Sequence, residues 1–317
     1  MTHNPIGLGT AAIGRPQYIN IRQEETAGFS LDAFRRKGMA ILDEAYAQGV
    51  RYFDTAPGYG MAEQMLIDWL TTKNDPTIEL ATKWGYTYVA NFDPNATQHE
   101  VKEHSLAKLN EQWQQSQTLL PALTSYQIHS ATFETGVLEN QAVLERLAEL
   151  KATHDLHIGL STTGNNQREV LEKSLTVEVA GEPLFDLFQV TYNIFDQSLR
   201  EIIQQVSAAG KRVVIKEALA NGRVFSNENY AHYQSAYQVL SELSHKYKVG
   251  TDAIALRFCL DSVPVFKVLS GAGLESHLQA NLQANTFSLS EQEIEMLSKL
   301  AVSREAYWAE RKQLGWN

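Results

Sequence analysis

Four polar residues, each following a short apolar run, have side chains that could together move a proton. Asp54 and Tyr59 belong to "VRYFDTAPGYG", Lys83 to "LATKWG" and His129 to "YQIHSA". An unperturbed tyrosine has a pKa of about 10, and we expect the Lys83 ammonium to lower the Tyr59 pKa toward neutrality. Asp54 would hold Lys83 in place, and His129 would orient the oxygen that receives the proton. Such a set suits proton donation to a carbonyl oxygen that becomes alkoxide-like as hydride reaches its carbon.

Each of the four residues also has an ordinary structural interpretation. Asp54 could cap a helix, and Lys83 could extend its ammonium to water from a strand end. His129 could be a hydrogen-bonded core histidine, and Tyr59 a packed loop aromatic. For any single residue the structural interpretation is the better one, but four residues on three consecutive strand units favour a functional site.

Eight short apolar or β-branched runs, each bounded by turn-forming residues, predict eight strands, and segments of helical periodicity lie between them. Strand alternating with helix indicates right-handed βαβ units and a parallel sheet. Eight units in 317 residues favour an α/β fold of the (β/α)8 TIM-barrel type, with residues 1–317 as a single domain. In that fold the carboxyl ends of the strands meet at the functional face. The predicted strands are "IGLGT", "VRYFDTA", "IELATKWG", "SYQIHSA", "HIGLST", "LFQVTYN", "RVVIKEAL" and "VFKVLSGA".

A dinucleotide-binding Rossmann domain is not indicated. Gly7, Gly9 and Gly14 in "GLGTAAIG" do not have the G-x-G-x-x-G spacing, and a loop follows them.

Composition and charge limit the classes of partner. The net charge is −10, without a basic block, which argues against nucleic acid or an anionic membrane surface as a partner. Neither a signal peptide nor a membrane-spanning run is evident, and the single cysteine, Cys259, excludes an intrachain disulfide. The nine histidines are scattered, so no metal site is predicted. We expect a cytoplasmic protein, whose oligomeric state the sequence does not indicate.

The segments that carry these residues resemble the aldo-keto reductase superfamily. "GVRYFDTAPGYGMAEQML", "LATKWG" and "YQIHSA" are similar to the segments of the family's catalytic tetrad, which falls on Asp54, Tyr59, Lys83 and His129. "IGLST", "FQVTYN" and "SGAGLESHLQANL" are similar to its cofactor-side segments. The resemblance implies an oxidoreductase that reduces an aldehyde or ketone to an alcohol, or the reverse, with a nicotinamide cofactor bound across the barrel mouth.

The resemblance also implies which residues contact the cofactor. Ser161, Gln189 and Asn193 would contact the carboxamide side of the nicotinamide, although a strand glutamine is as often structural and Ser161 could cap a helix. Toward the adenine end of the cofactor, the resemblance implies that Ser270, Gly271 and Ala272 lie near the phosphates and Asn281 near the adenine. Glycine after the eighth strand would allow the backbone to approach a phosphate at a helix N-terminus, or would simply serve an ordinary turn.

Two departures from the family pattern bear on the cofactor. Many members place an aromatic residue after the seventh strand, where this chain has Lys216 followed by Glu217. The lysine stem could cover the nicotinamide ring, or Lys216 and Glu217 could form a rim ion pair. The segment "GAGLESHLQAN" has no arginine for a 2′-phosphate and contains Glu275. NADPH is the cofactor that the resemblance implies, and NADH is the alternative.

The long first loop and the C-terminal segment are candidates for substrate selection. Arg15 or Arg22 could bind an acidic group or be solvated, and Tyr307, Trp308 or Trp316 could cover the mouth or pack beside the barrel. Two other functions stay open at this point. One is a Schiff-base lyase using Lys83 or Lys216, and the other is a cofactor-binding regulatory module with little turnover.

Overall fold

Eight parallel strands close into a barrel in the computed structural model, which describes residues 4–21, 29–93 and 95–316. Each strand pairs with its neighbours in chain order, and the eighth pairs with the first. The predicted (β/α)8 barrel, with each of its eight strands, is confirmed. The strands are β1 Ile6–Gly9, β2 Tyr52–Asp54, β3 Glu79–Trp84, β4 Leu123–Ile128, β5 His157–Ser161, β6 Leu187–Thr191, β7 Arg212–Lys216 and β8 Lys267–Ser270.

Helices surround the barrel and pack their apolar faces against the strands in one continuous core. In the described ranges, five of the helices follow a serine or asparagine whose side chain accepts a hydrogen bond from the first turn. No helix in the described ranges is long and apolar enough to cross a membrane. The helices are α1 Ala11–Gly14, α2 Leu31–Ala47, α3 Ala62–Leu70, α4 Leu106–Ser116, α5 Gln141–His154, α6 Gln167–Ser174, α7 Arg200–Ala208, α8 Gln234–Tyr247, α9 Thr251–Ser262, α10 Glu275–Leu282, α11 Glu291–Ser298 and α12 Arg304–Arg311.

A hairpin follows β3 and lies beside the mouth. Its strands, Tyr86–Tyr88 and Glu100–Lys102, pair antiparallel. The sequence did not predict this hairpin, because its strands have three residues each and no buried alternation. A second hairpin pairs Glu178–Val179 with Glu182–Pro183.

Strand register brings the polar residues to one level of the barrel. Gly9 pairs with Asp54, and Asp54 pairs with Ala81. Two residues beyond Ala81, Lys83 pairs with Gln127. The ends of β2, β3 and β4 are therefore aligned, and the loops that follow them open on the same face.

A close backbone contact fixes the loop after β2. The carbonyl of Gly14 accepts a hydrogen bond from Met61 N at 2.9 Å. A Cβ atom at Gly14 would collide with the backbone oxygen of Tyr59 and with Ala62, so only glycine permits this approach. The turn that carries Tyr59 is thereby packed directly on the loop after β1.

Candidate active site

The four residues singled out in the sequence meet at the mouth of the barrel. Asp54 ends β2, Lys83 lies near the end of β3, and His129 directly follows β4. Tyr59 ends a short 3-10 turn, Pro57–Tyr59, in the loop after β2. Parallel strands of matched register therefore place side chains from distant parts of the chain around one spot.

Lys83 and Asp54 form a buried ion pair. Lys83 Nζ lies 2.5 Å from Asp54 Oδ1 and donates to the Thr55 carbonyl at 3.0 Å. The second oxygen of Asp54 accepts from Gln189 Nε2 at 2.7 Å. A buried ion pair needs such additional hydrogen bonds to offset the cost of desolvation. Gln189 is thus a hydrogen-bond partner of Asp54, a contact that could not be predicted from the sequence.

The Tyr59 side chain is close to both His129 and Lys83. Tyr59 Oη is 3.5 Å from His129 Nε2, and Lys83 Nζ is 4.9 Å from the centre of the Tyr59 ring. The ring of Tyr86, from the hairpin, packs on the other side of His129 with ring centres 4.7 Å apart. A phenol, an imidazole and an ammonium are therefore grouped within reach of one small polar group.

Burial raises the pKa of Tyr59 well above its ordinary value, and the charge of Asp54 raises it further. This differs from the lowered pKa that the sequence predicted, because Tyr59 is buried and the cost of placing a phenolate out of water outweighs the effect of the nearby cations. Arg15 acts in the opposite direction and lowers the Tyr59 pKa. The hydroxyl consequently keeps its proton through the neutral range and can still donate it to a more basic alkoxide oxygen.

His129 is a neutral imidazole. Burial lowers its pKa well below the ordinary value, and the positive charges of Lys83 and Arg15 lower it further. Its backbone N–H donates to the Trp84 carbonyl at 2.9 Å, and its own carbonyl lies 3.0 Å from His104 Nε2. Nδ1 is buried without a hydrogen-bond partner among the residues described. A neutral imidazole in a fixed position can donate through Nε2 to a substrate oxygen.

On the β5 and β6 side of the mouth, Ser161 and Asn193 are buried but differ in their free hydrogen-bonding capacity. Ser161 Oγ accepts from Ser130 N at 2.8 Å, which leaves its own hydroxyl proton to donate.

The Asn193 amide is fully used within the protein. Its Nδ2 donates to the Glu217 carbonyl and to Tyr307 Oη, at 3.0 and 2.9 Å, while Oδ1 accepts two backbone N–H groups. Two donors and two lone pairs are the whole capacity of an amide side chain. Asn193 thus ties the loop after β6 to β7 and α12, and its contact with a cofactor carboxamide stays a prediction.

The loop between β8 and α10 has the features of an anion site. Ser270 is buried, with Oγ 2.7 Å from the Asn281 amide, and Asn281 in turn reaches Asp252 when its amide is oriented to satisfy both neighbours. Gly271 is exposed, and a Cβ there would face open space, whereas Ala272 is buried. Helix α10 then begins after Leu274 with no side-chain cap, so the uncapped helix end fits a phosphate group.

Lys216, at the end of β7, belongs to a chain of charges. Its Nζ donates to Thr191 Oγ1 at 2.8 Å and lies 3.8 Å from Glu217 Oε1. Arg311 from α12 contacts the same Glu217 oxygen at 2.9 Å. Although burial alone would raise it, the pKa of Glu217 is lowered to about 2 by Lys216 and Arg311. The rim ion pair that the sequence allowed is therefore present, and contact of the lysine stem with a nicotinamide ring stays a prediction.

The first loop, the hairpin and the C-terminus meet beside Tyr59. Arg15 donates to the Gly58 carbonyl and to Glu100, and the ring of Trp316 lies over its guanidinium at 4.8 Å. Trp316 also stacks on His99, with ring centres 4.5 Å apart. Of the three C-terminal aromatic residues that could cover the mouth, Trp316 is thus the one that packs beside Arg15. Arg22 lies outside the described residues.

The described residues contain no group of three or more His, Cys, Asp or Glu side chains that could bind a metal ion. The single cysteine, Cys259, is fully buried in α9 beside the Tyr192 carbonyl.

A closed eight-stranded parallel barrel with its polar residues at the carboxyl ends of the strands is the architecture of TIM-barrel enzymes. Residues 5–302 match the model of the aldo/keto reductase family, and the chain belongs to that family. Aldo-keto reductase ausK of Aspergillus calidoustus is 22% identical over 94% of this chain and 78% of its own length. The uncharacterized oxidoreductase YqkF of Bacillus subtilis is 27% identical over 84% of this chain and 89% of its own.

Solved structures share the same fold. The glycerol dehydrogenase AKR11B4 from Gluconobacter oxydans superposes with a TM-score of 0.68 at 20% identity, covering 93% of this chain and 90% of that one. The holo form of aldo-keto reductase AKR11C1 from Bacillus halodurans gives a TM-score of 0.67 at 22% identity, covering 94% and 92%.

Proposed function

We propose that this protein is an NAD(P)H-dependent oxidoreductase that interconverts a carbonyl compound and an alcohol by hydride transfer, with Tyr59 as the general acid. The observation that carries the proposal is the grouping of Tyr59 Oη with His129 Nε2, 3.5 Å apart, above the buried pair of Lys83 and Asp54. Membership of the aldo/keto reductase family supports the same reaction class.

Tyr59 delivers the proton in the reductive direction. The carbonyl oxygen of the substrate lies between Tyr59 Oη and His129 Nε2, and both donate hydrogen bonds to it. As negative charge develops on that oxygen, its basicity rises above that of the phenolate, so the proton moves from Tyr59 even though burial holds the Tyr59 pKa high. In the oxidative direction the same oxygen of Tyr59 receives the proton of the alcohol.

Lys83 and Asp54 support this transfer from below. When the proton has left, the ammonium of Lys83, 4.9 Å from the Tyr59 ring centre, stabilises the phenolate that remains. Asp54 and the Thr55 carbonyl hold the ammonium at that position. His129 stays neutral, so it orients the oxygen and does not compete for the proton.

The residues of the mouth fit a nicotinamide cofactor. Ser161 has a free hydroxyl proton for a carboxamide oxygen, and Ser270, Gly271 and the uncapped end of α10 suit a phosphate group. Asn281 holds Ser270 in place for that role. When bound, the cofactor supplies or accepts the hydride. NADPH is the cofactor we expect from the family, with NADH as the alternative because Glu275, and no arginine, lies in the first turn of α10.

The two competing functions are less well supported. A Schiff-base lyase needs a lysine amine that is free to attack a carbonyl, but Lys83 is held in a buried ion pair with Asp54, and Lys216 donates to Thr191 and lies beside Glu217. A regulatory module without turnover would have no reason to keep all four site residues in contact.

The test is cofactor oxidation by the wild-type protein and by Tyr59→Phe. Purified protein is mixed with NADPH or NADH and a panel of aromatic and aliphatic aldehydes, and turnover and cofactor binding are measured separately. We expect turnover in the wild type and its loss in Tyr59→Phe, with cofactor affinity retained. Equal turnover in both proteins would overturn the assignment of Tyr59 as the general acid. If the wild type showed no turnover with NADPH or NADH, in either the reductive or the oxidative direction, the proposed function would be overturned.

A further inference from the structure

Arg15, in the first loop, is a buried cation at the barrel mouth. Its side chain is 4% exposed, and a guanidinium is costly to bury unless it is paired and hydrogen-bonded. Its Nη1 donates to the Gly58 carbonyl at 2.9 Å and to Glu100 Oε2 at 2.8 Å. Nε is buried without a partner among the residues described. A sequence that needed only a solvated loop would not place an arginine there.

Three aromatic rings from separate parts of the chain surround the guanidinium. Its central carbon lies 5.5 Å from the ring centre of Tyr59, 5.7 Å from Tyr18 and 4.8 Å from Trp316. Glu100 comes from the hairpin after β3. Arg15 therefore joins the first loop, the Tyr59 turn, the hairpin and the C-terminus through one planar group, a task for which arginine is better suited than lysine.

We propose that Arg15 is a positioning residue for the reaction, which holds the Tyr59 turn in place and adds a positive charge beside the Tyr59 ring that Glu100 offsets only in part. The inference rests on the proposed function of Tyr59. The turn is held on both sides of Tyr59 by two adjacent residues, since Arg15 binds the carbonyl of Gly58 and the Gly14 carbonyl binds Met61 N at 2.9 Å. A displacement of about 1 Å in such a turn can lower a rate by about a hundredfold.

The charges around Tyr59 explain why Arg15 has an electrostatic effect on its hydroxyl. Asp54 from β2 and Lys83 from β3 face it as a neutral pair, and His129 after β4 is uncharged. Among the described residues, the other groups that act on it are Tyr18 from the first loop, Glu100 from the hairpin, Glu217 after β7 and Arg15. Arg15 lowers the Tyr59 pKa, whereas Glu100 and Glu217 raise it.

The prediction concerns the direction of the pH dependence. In alcohol oxidation Tyr59 must take up the substrate proton, so the rate rises with pH toward the Tyr59 pKa. Loss of the Arg15 charge makes the hydroxyl harder to deprotonate and moves this rising limb to higher pH. Loss of the Glu100 charge leaves the positive charge of Arg15 without its counterion, which lowers the Tyr59 pKa and moves the rising part of the pH–rate profile to lower pH.

The experiment compares Arg15→Met, Arg15→Lys and Glu100→Gln with the wild type by measuring kcat and KM for alcohol oxidation across pH. For Arg15→Met we expect kcat to fall by about tenfold or more, with little change in KM and a rising limb at higher pH. Arg15→Lys keeps the positive charge but loses the planar guanidinium. We expect its pH–rate profile to rise at the wild-type pH and its kcat to recover only in part. Glu100→Gln shifts the limb the other way.

Arg51→Met is the matched control. Arg51 also pairs with a carboxylate, Asp75, at 3.0 Å and lies over a tyrosine ring, that of Tyr46, at 3.9 Å. It precedes β2 and so lies at the opposite end of the barrel. We expect it to leave kcat and the pH limb unchanged. A wild-type limb in Arg15→Met, or an equal shift in Arg51→Met, would overturn the proposal.

A readout without turnover separates this proposal from the proposed function. Protein labelled with 13C at tyrosine Cζ gives one resonance that is absent in Tyr59→Phe and is thereby assigned to Tyr59. We expect this resonance to move in Arg15→Met and Arg15→Lys and to stay in place in Arg51→Met. If the Tyr59 resonance does not move in the Arg15 variants, the positioning role of Arg15 is refuted, whether or not the wild-type protein turns over a substrate. Absence of turnover in the wild type would refute the proposed function but not this role.

Discussion

The Lys83 ammonium and the Asp54 carboxylate lie 2.5 Å apart at the mouth of the barrel, with their side chains 0% and 3% exposed. Both are satisfied by further bonds, to the Thr55 carbonyl and the Gln189 amide. Because both side chains are held by these bonds, the ion pair is a rigid support for Tyr59. Its charges cannot be rearranged singly without leaving an unpaired charge out of water.

Removal of one member of this pair should be costly. Asp54→Asn or Lys83→Met alone is expected to lower the free energy of unfolding by about 3–5 kcal/mol, because the partner is left as an uncompensated buried charge. The double variant should recover much of that stability but none of the turnover. Urea unfolding measures the effect, and Asp68→Asn is the control, since Asp68 forms an exposed pair with Arg35 worth about 1 kcal/mol or less. Equal losses for Asp54→Asn and Asp68→Asn would contradict the account.

The buried His104 should make the protein less stable in mild acid. Burial, with the charge of Lys102, lowers the pKa of His104 to about 4, although its bond to the His129 carbonyl raises it. Unfolded histidine has a pKa of about 6.5, so the unfolded chain binds more protons below that pH and stability falls as pH decreases toward about 4. The full effect is about 3 kcal/mol.

The variant His104→Gln removes this contribution while keeping hydrogen-bonding groups near Thr135 and the His129 carbonyl. We expect its free energy of unfolding to fall less steeply than that of the wild type between pH 6.5 and about 4. The slope does not vanish, because His129 is affected in the same direction. Parallel profiles for the two proteins would show that His104 is not the source.

Lys216 should matter for stability and not for cofactor affinity. In Lys216→Met the buried carboxylate of Glu217 loses one of its positive neighbours and keeps its ion pair with Arg311, and we expect the free energy of unfolding to fall by about 1–3 kcal/mol. Cofactor affinity, measured by nicotinamide fluorescence, should stay close to that of the wild type. A marked fall in affinity with unchanged stability would instead place the lysine against the cofactor.

Cofactor choice should respond to the charge at Glu275. This exposed acid lies in the first turn of α10, next to the loop that suits a phosphate. Glu275→Lys is expected to favour NADPH over NADH by about tenfold, since it reverses the charge beside a 2′-phosphate. Glu291→Lys makes the same change in the first turn of α11, away from the mouth, and should leave the ratio of the two dissociation constants unchanged. Equal effects at both positions would mean that only net charge matters.

The barrel could be predicted from the sequence because its signals are local. Each strand is a short apolar run ended by turn residues, and the strand–helix order leaves few topologies open. Asp54, Lys83 and His129 could be grouped for the same reason, since each follows its strand directly and parallel strands end on one face. Their contacts with Tyr59 agree with that prediction.

The contacts that the sequence did not reveal are those made between loops. The sequence left open whether Arg15 binds an acidic group or is solvated, and in the structure the hairpin strand with Glu100 and the C-terminal Trp316 enclose it. No periodicity links these segments, whose separation in sequence exceeds 80 residues. Gln189 and Asn193 lie where expected, but which neighbours take up an amide's hydrogen bonds depends on packing. The lowered pKa expected for Tyr59 failed because burial cannot be read from residue types alone.

The most direct measurement is the fate of the transferred hydrogen. The wild-type protein is supplied with reduced cofactor carrying deuterium at the transferable position of the nicotinamide, together with an aldehyde that it consumes. Mass spectrometry of the product should find one deuterium on the carbinol carbon, and Tyr59→Phe should yield almost no product under the same conditions. A product alcohol without deuterium, or aldehyde trapped on a lysine by borohydride, would contradict hydride transfer at this site.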